Sequence, residues 1–136
     1  MSSPPFLQSS LYVAVGGGLG AWLRFAAGRL VTSAIGPSAA AAFPWATLLV
    51  NISGSFAMGL LVGWLARHAD AGSEAWRLLL GVGVLGGFTT FSAFSLEIVN
   101  LAERGALGLS MLYISGSLLG GVAGLFAGLA VMRAAA

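Results

Sequence analysis

Four runs of the chain, at about residues 9–31, 43–66, 76–101 and 106–132, are each long and apolar enough to cross a bilayer, and they leave little else to fold. About 20 mostly apolar residues suffice for one helical crossing. Only 7% of the residues are charged and 58% are hydrophobic, against roughly 25% charged in soluble domains, so the chain has too little polar surface to coat a water-soluble core. The expectation is an all-α integral membrane protein, residues 1–136 forming a single domain of four transmembrane helices.

The connections fall where charge, glycine and proline collect: residues 33–42 with Gly36-Pro37, residues 67–74, and residues 103–105. Trp45 opens the second span, and Trp64 and Trp76 flank the second connection, the headgroup level that amphipathic rings favour. The start, Met1-Ser2-Ser3-Pro4-Pro5, has no basic segment and no small-residue cleavage site behind a short apolar core. It does not read as a signal peptide, and the first span is expected to stay.

Several function classes drop out on composition. Cysteine is absent, which removes disulfides and thiolate metal sites. All six basic residues are arginines scattered along the chain, not the clustered surface that nucleic acid requires. There is no lysine and no carboxylate cluster, and the one histidine, His68, sits in a connection beside Arg67, so enzymatic acid-base chemistry is not expected.

With four spans, the N-terminus, the second connection and the C-terminus share one side, which carries Arg67, Arg77 and Arg133. The other side carries Arg29 and Arg104, with Arg24 if it is counted. Orientation follows the Lys/Arg bias of short loops, and so small a bias predicts insertion either way round. Two opposed copies can then pair as an antiparallel, dual-topology homodimer surrounded by lipid. Gly116, Gly120, Gly124 and Gly128 recur every fourth residue on the last span, joined by Gly16, Gly17, Gly18 and Gly20 on the first and Gly83 and Gly87 on the third. Small residues of this kind let helix backbones approach closely in lipid.

Against this background the polar residues inside the spans stand out. Thr47, Asn51 and Ser55 form an i, i+4, i+8 stripe, with Gly54 beside it; Ser110, Tyr113 and Ser117 form a second, continuing to Gly121. Polar groups at membrane depth meet partners or line a wet path. A serine can return its hydroxyl to its own helix, but Asn51 needs either a neighbouring helix or a permeating species. The third span runs Gly86-Gly87-Phe88-Thr89-Thr90-Phe91-Ser92-Ala93-Phe94-Ser95-Leu96-Glu97, where paired glycines and β-branched threonines weaken the helix, and a break is expected there. Broken backbone at depth exposes carbonyls that a hard cation accepts as ligands. Phe91 and Phe94 lie three apart, and ring edges, being electropositive, can face an anion. Arg24 and Glu97 are the charges furthest inside their spans, to be relieved by pairing with each other or by hydrogen bonds to Ser and Asn.

The run from Gly86 to Glu97, with Gly20-Ala21-Trp22-Leu23-Arg24 and Thr47-Leu48-Leu49-Val50-Asn51, resembles the CrcB/Fluc fluoride channel family, and the similarity spans essentially the whole chain. The resemblance implies a dual-topology homodimer with two fluoride pathways and a third helix broken in mid-membrane. It also implies a central, structural Na⁺ held by backbone carbonyls, here those of Gly86 and Thr89. By the same resemblance Asn51, Phe91, Phe94, Tyr113 and Ser117 line the fluoride pathway, while Arg24 matches the first-span motif without an assigned role; as the innermost charges, Arg24 and Glu97 are candidate vestibule or structural charges. Where the family can place a further serine, this chain has Gly121. The implied function is passive, fluoride-selective export that lowers cytoplasmic fluoride, in a prokaryotic plasma membrane (the inner membrane of a Gram-negative cell). A small dual-topology, proton-coupled multidrug exporter is the alternative, although its family carries a carboxylate in the first span and this chain has none there. A membrane scaffold whose polar residues only join helices is a third class.

Overall fold

The computed structural model describes residues 5–68 and 72–135; the signal-peptide reading of residues 1–4 and the middle of the second connection lie outside the described residues. Every element in it is helical. In chain order they are α1 (Phe6–Ile35), α2 (Pro37–Ala42), α3 (Trp45–Arg67), α4 (Ser73–Trp76), a π-helical segment π1 (Arg77–Leu85), α5 (Gly86–Phe88), α6 (Ser92–Glu103) and α7 (Leu107–Ala134).

Three stretches are long and apolar enough to cross a membrane: Trp45–Arg67, Ser73–Glu103 and Leu107–Ala134. Four were expected. The first helix, at 30 residues, has ample length, about 45 Å at 1.5 Å per residue. It is less apolar than the others because Gly16, Gly17, Gly18, Gly20, Trp22, Arg24 and Arg29 dilute its aliphatic residues.

The turns have local causes. Gly36 takes φ +83°, a value other residues avoid, and Pro37 starts α2 at the position where its missing N–H costs nothing. Gly105, at φ +76°, ends α6, with its N–H on the Ala102 carbonyl and that of Ala106 on the Leu101 carbonyl. The helical connection Pro37–Ala42 has too few residues to show a period in the sequence.

Two close helix pairs organise the molecule, and both rest on glycine. Between α3 and α7, a Cβ on Gly59 would overlap the Leu125 carbonyl and one on Gly128 the Phe56 carbonyl; one on Gly124 would lie 3.1 Å from the Ile52 carbonyl. Gly120 packs on the Ile52 side chain, whereas a Cβ on Gly116 would meet no neighbouring helix within 4 Å among the described residues, so the fourfold repeat serves this contact over three of its four positions. Between α1 and the third stretch, Gly16 abuts the Leu79 carbonyl, Gly20 that of Val84, and Gly87 that of Gly17. The π segment lies along this second contact; its wider turns, seen in the Gly86 N–H reaching the Gly81 carbonyl, accompany a backbone approach that leaves no room for side chains.

The α3–α7 contact predicts a graded response. Gly128→Ala should cost about 1–3 kcal/mol, since the facing atom is backbone and cannot rotate away. Gly124→Ala, where Ile52 need yield only a few tenths of an ångström, should cost less. Unfolding midpoints of both variants in one detergent check the order.

Candidate functional site

The third stretch stops being helical at Thr89, whose backbone is extended (φ −78°, ψ 158°), and becomes helical again at Ser92. An interruption in an apolar setting must find partners for the peptide groups it releases. Here Asn51, from α3, supplies them. Its Nδ2 donates to the Thr90 carbonyl at 3.0 Å, and its Oδ1 accepts from the Thr90 N–H at 2.8 Å. In an unbroken helix that N–H would bond to the Gly86 carbonyl, so the same bond that seats the break also frees Gly86's oxygen. The Ala93 N–H goes to Thr90 Oγ1 at 3.2 Å, and the Thr89 carbonyl receives Arg24 Nη1 at 3.2 Å. Gly54 lets the break come this close: a Cβ there would overlap the Thr89 methyl and stand 3.2 Å from the Phe88 ring.

Asn51's partner is thus the interrupted backbone of the third stretch itself. The two inner charges do not meet: Arg24 caps the Thr89 carbonyl, while Glu97 receives Thr47 Oγ1 at 2.7 Å and Tyr113 Oη at 2.6 Å. Hydroxyls, with their short reach, satisfy this carboxylate from the two helices that flank it. Glu97 also borders a cavity of ≈ 440 Å³ that extends past Asn100 and Glu103 to Arg104, whose Nη1 donates to the Ala41 carbonyl at 2.9 Å.

Beside the break lies a cleft of ≈ 320 Å³ bordered by α3, α6 and α7. Asn51, Phe91, Phe94 and Ser117 all line it, together with Ser55, Thr90 and Gly121. Phe94 is nearly buried, at 9% exposure, and Phe91 is 79% exposed; their ring centroids are 5.9 Å apart and the planes tilted by 45°. Ser117 Oγ is buried without a hydrogen-bond partner among the described residues. Tyr113 is not on this wall. It is fully buried one turn away, its ring 5.1 Å from that of Phe94 and its hydroxyl on Glu97. Phe94 therefore separates the cleft from the Thr47–Glu97–Tyr113 group.

The electrostatics of the break differ at its two ends. Carbonyls released at the end of α5 present partial negative charge, whereas the N-terminus of α6 presents N–H groups and the positive end of a helix dipole beside Phe91 and Phe94. No residue on the cleft wall carries a full charge. The sequence had placed Thr47, Asn51 and Ser55 on one stripe; the structure shows it facing the third stretch along its length, Thr47 to Glu97, Asn51 to Thr90 and Ser55 into the cleft. The Thr90 backbone as Asn51's partner was missed, because no side-chain pattern encodes it.

The Asn51 pairing predicts that Asn51→Asp keeps the acceptor for the Thr90 N–H but turns an oxygen toward the Thr90 carbonyl. Loss of a buried donor of this kind costs about 1–3 kcal/mol. Hydrogen exchange and thermal unfolding should show the Thr90 region opening more readily, while the α3–α7 contact stays protected.

Residues 11–129 match the family model described as CrcB-like protein, Camphor Resistance (CrcB). A protein of Novosphingobium aromaticivorans named fluoride-specific ion channel FluC is 57% identical over 130 residues, covering 96% of this chain and 100% of the relative. One of the same name from Erythrobacter litoralis is 46% identical over 133 residues, 98% of each chain. Another, from Agrobacterium fabrum, is 54% identical over 121 residues, covering 89% and 93%.

Proposed function

The chain belongs to the CrcB family, and from that membership we propose that it is a fluoride-selective channel that lets fluoride leave the cell passively. The observation that carries the reading is the uncharged cleft itself, where an amide, a buried free hydroxyl and two phenyl rings from three separate helical stretches converge. Fluoride is small and strongly hydrated. A path that replaces its water needs hydrogen-bond donors, and full positive charges would trap the ion. Ser117 Oγ has its proton to give, the rings of Phe91 and Phe94 can present their edges, and Asn51 keeps one of its two amide protons after bonding Thr90. Tyr113 acts one turn further along, holding Glu97 with Thr47 at the next cavity.

The working unit in this proposal is an antiparallel, dual-topology homodimer in the prokaryotic plasma membrane, the inner membrane where there are two, with α1 as the fourth span. Two features support it: arginines nearly balanced between the two sides, and Phe91, a pathway residue left 79% exposed on a single chain. A structural Na⁺ at the dimer centre would be held by the carbonyls of Gly86 and Thr89. Their fit rests on chemistry visible at the break: both oxygens have lost their helical N–H partners, although Thr89 shares its oxygen with Arg24. One chain offers too few oxygens for a hard cation, and a second copy would double them. When bound, the ion would tie the two breaks together.

Purified protein in liposomes should release fluoride rapidly, measured with a fluoride electrode, and should not release chloride. Asn51→Asp and Phe94→Ile should each suppress the flux, and an imposed Na⁺ gradient should drive no uphill fluoride movement. Undiminished flux in Asn51→Asp would remove that residue from the pathway; absence of fluoride flux from folded protein would sink the channel reading.

Because the chain has no cysteine, topology can be read cleanly. A single cysteine placed at Ala135 should be labelled by an impermeant thiol reagent in about half of the molecules from each face of the membrane. Labelling from one face only would exclude dual topology.

A further inference from the structure

Hydroxyls inside the helices of this protein mostly bond to backbone carbonyls. Ser10 donates to Phe6, Thr89 to Leu85, Ser95 to Phe91 and Ser115 to Met111, each four residues back; Ser53 donates to Val50 and Ser110 to Ile98. Such bonding is the default for a serine or threonine with no better partner. Ser55 and Ser117 depart from it. Both line the cleft, and neither gives its proton to a carbonyl among the described residues.

The two serines come from facing helices at successive levels. Ser55 lies one turn beyond Asn51 on α3, and Gly121 one turn beyond Ser117 on α7. A Cβ at position 121 would stand 3.5 Å from Ser55 Oγ, in ordinary contact, so position 121 and the Ser55 hydroxyl meet at the same level of the cleft. With no side chain on Gly121, the donor at this level must come from α3. Among the other lining residues, Met58, Leu118 and Leu125 have no proton to offer, Thr89 gives its own to the Leu85 carbonyl, and Thr90 Oγ1 is engaged with Ser92 and the Ala93 N–H.

We propose that Ser55 is a fluoride ligand, the α3 hydroxyl that receives the ion after Ser117 and stands in for a side chain that Gly121 lacks. The proposal rests on the channel reading. An ion stripped of water meets a large barrier at any level where no donor replaces the lost hydration. The helix rises 5.4 Å per turn, beyond the reach of a single hydroxyl, so a donor confined to the Ser117 level cannot serve the level of Gly121.

The test is fluoride efflux from liposomes for the wild type, Ser55→Ala, and Ser55→Ala combined with Gly121→Ser. Ser55→Ala removes one oxygen that makes no hydrogen bond among the described residues, so its unfolding midpoint should match the wild type. Its fluoride efflux should fall about tenfold or more, as expected when a hydrogen bond to an ion is lost. Gly121→Ser restores a hydroxyl to the same level from the opposite helix, and the double variant should recover most of the rate. A conducting wild type with an equally fast Ser55→Ala would overturn the role of Ser55. A slow Ser55→Ala that the second substitution fails to rescue would overturn the exchange between the two helices. A wild type with no fluoride flux would instead remove the channel reading on which the proposal stands.

Discussion

The structure depends on one side-chain amide answering the backbone N–H and C=O of one residue. A helix interrupted in an apolar environment releases N–H and C=O groups that water cannot satisfy, and each costs several kcal/mol if left alone. Asn51 meets both polar groups of Thr90 with a single side chain. Its planar amide carries a donor and an acceptor side by side, which the C=O and N–H of a single residue can match; an ionised aspartate has no donor to offer. Once Thr90 is fixed to α3, Phe91 and Phe94 are positioned beside it, and the Gly86 carbonyl loses the N–H that would have occupied it.

That bond is possible only because the helices are unusually close, and closeness is a matter of missing side chains. Gly54 lets Thr89 and Phe88 rest on α3; Gly59, Gly124 and Gly128 bring α7 against α3's other side; Gly16, Gly20 and Gly87 press α1 onto the third stretch. In lipid there is little hydrophobic gain from burying one apolar helix against another, so van der Waals contact between bare backbones carries much of the association. The glycines thus set the distances at which a side chain as short as that of asparagine can span from one helix to the next.

Much of this was legible in the sequence. The polar stripe Thr47, Asn51 and Ser55 follows from helical period alone, and the weak point at Gly86 to Thr90 follows from residue type. The cleft that gathers Asn51, Phe91, Phe94 and Ser117 was accessible through the resemblance. The rest depends on partners that a linear pattern does not name. Glu97 could have paired with Arg24; instead Thr47 and Tyr113 reach it from either side, and Arg24 turns to a backbone oxygen. The π-helical segment was invisible because its Leu, Gly and Val residues carry no mark that separates a π turn from an α turn, and the segment lies where α1 packs on it. The first helix was read as long and apolar enough to span, whereas glycines that let it pack, such as Gly16 and Gly20, are among the residues that lower its hydropathy.

The division of labour around the break follows from charge and desolvation. Full charges are kept off the cleft wall: Glu97 is engaged by two hydroxyls beyond Phe94, and Arg24 is turned to the Thr89 carbonyl. The wall that remains offers dipoles only. For a strongly hydrated anion, dipoles have a physical advantage over an arginine, because each is strong enough to replace a water molecule but too weak to hold the ion once the next donor is in reach. A cation at the other end of the break would meet the complementary arrangement, carbonyl oxygens whose helical hydrogen bonds have been redirected. A single interruption, held by one asparagine, therefore presents opposite polarity at its two ends, with backbone groups that the helix would otherwise have consumed.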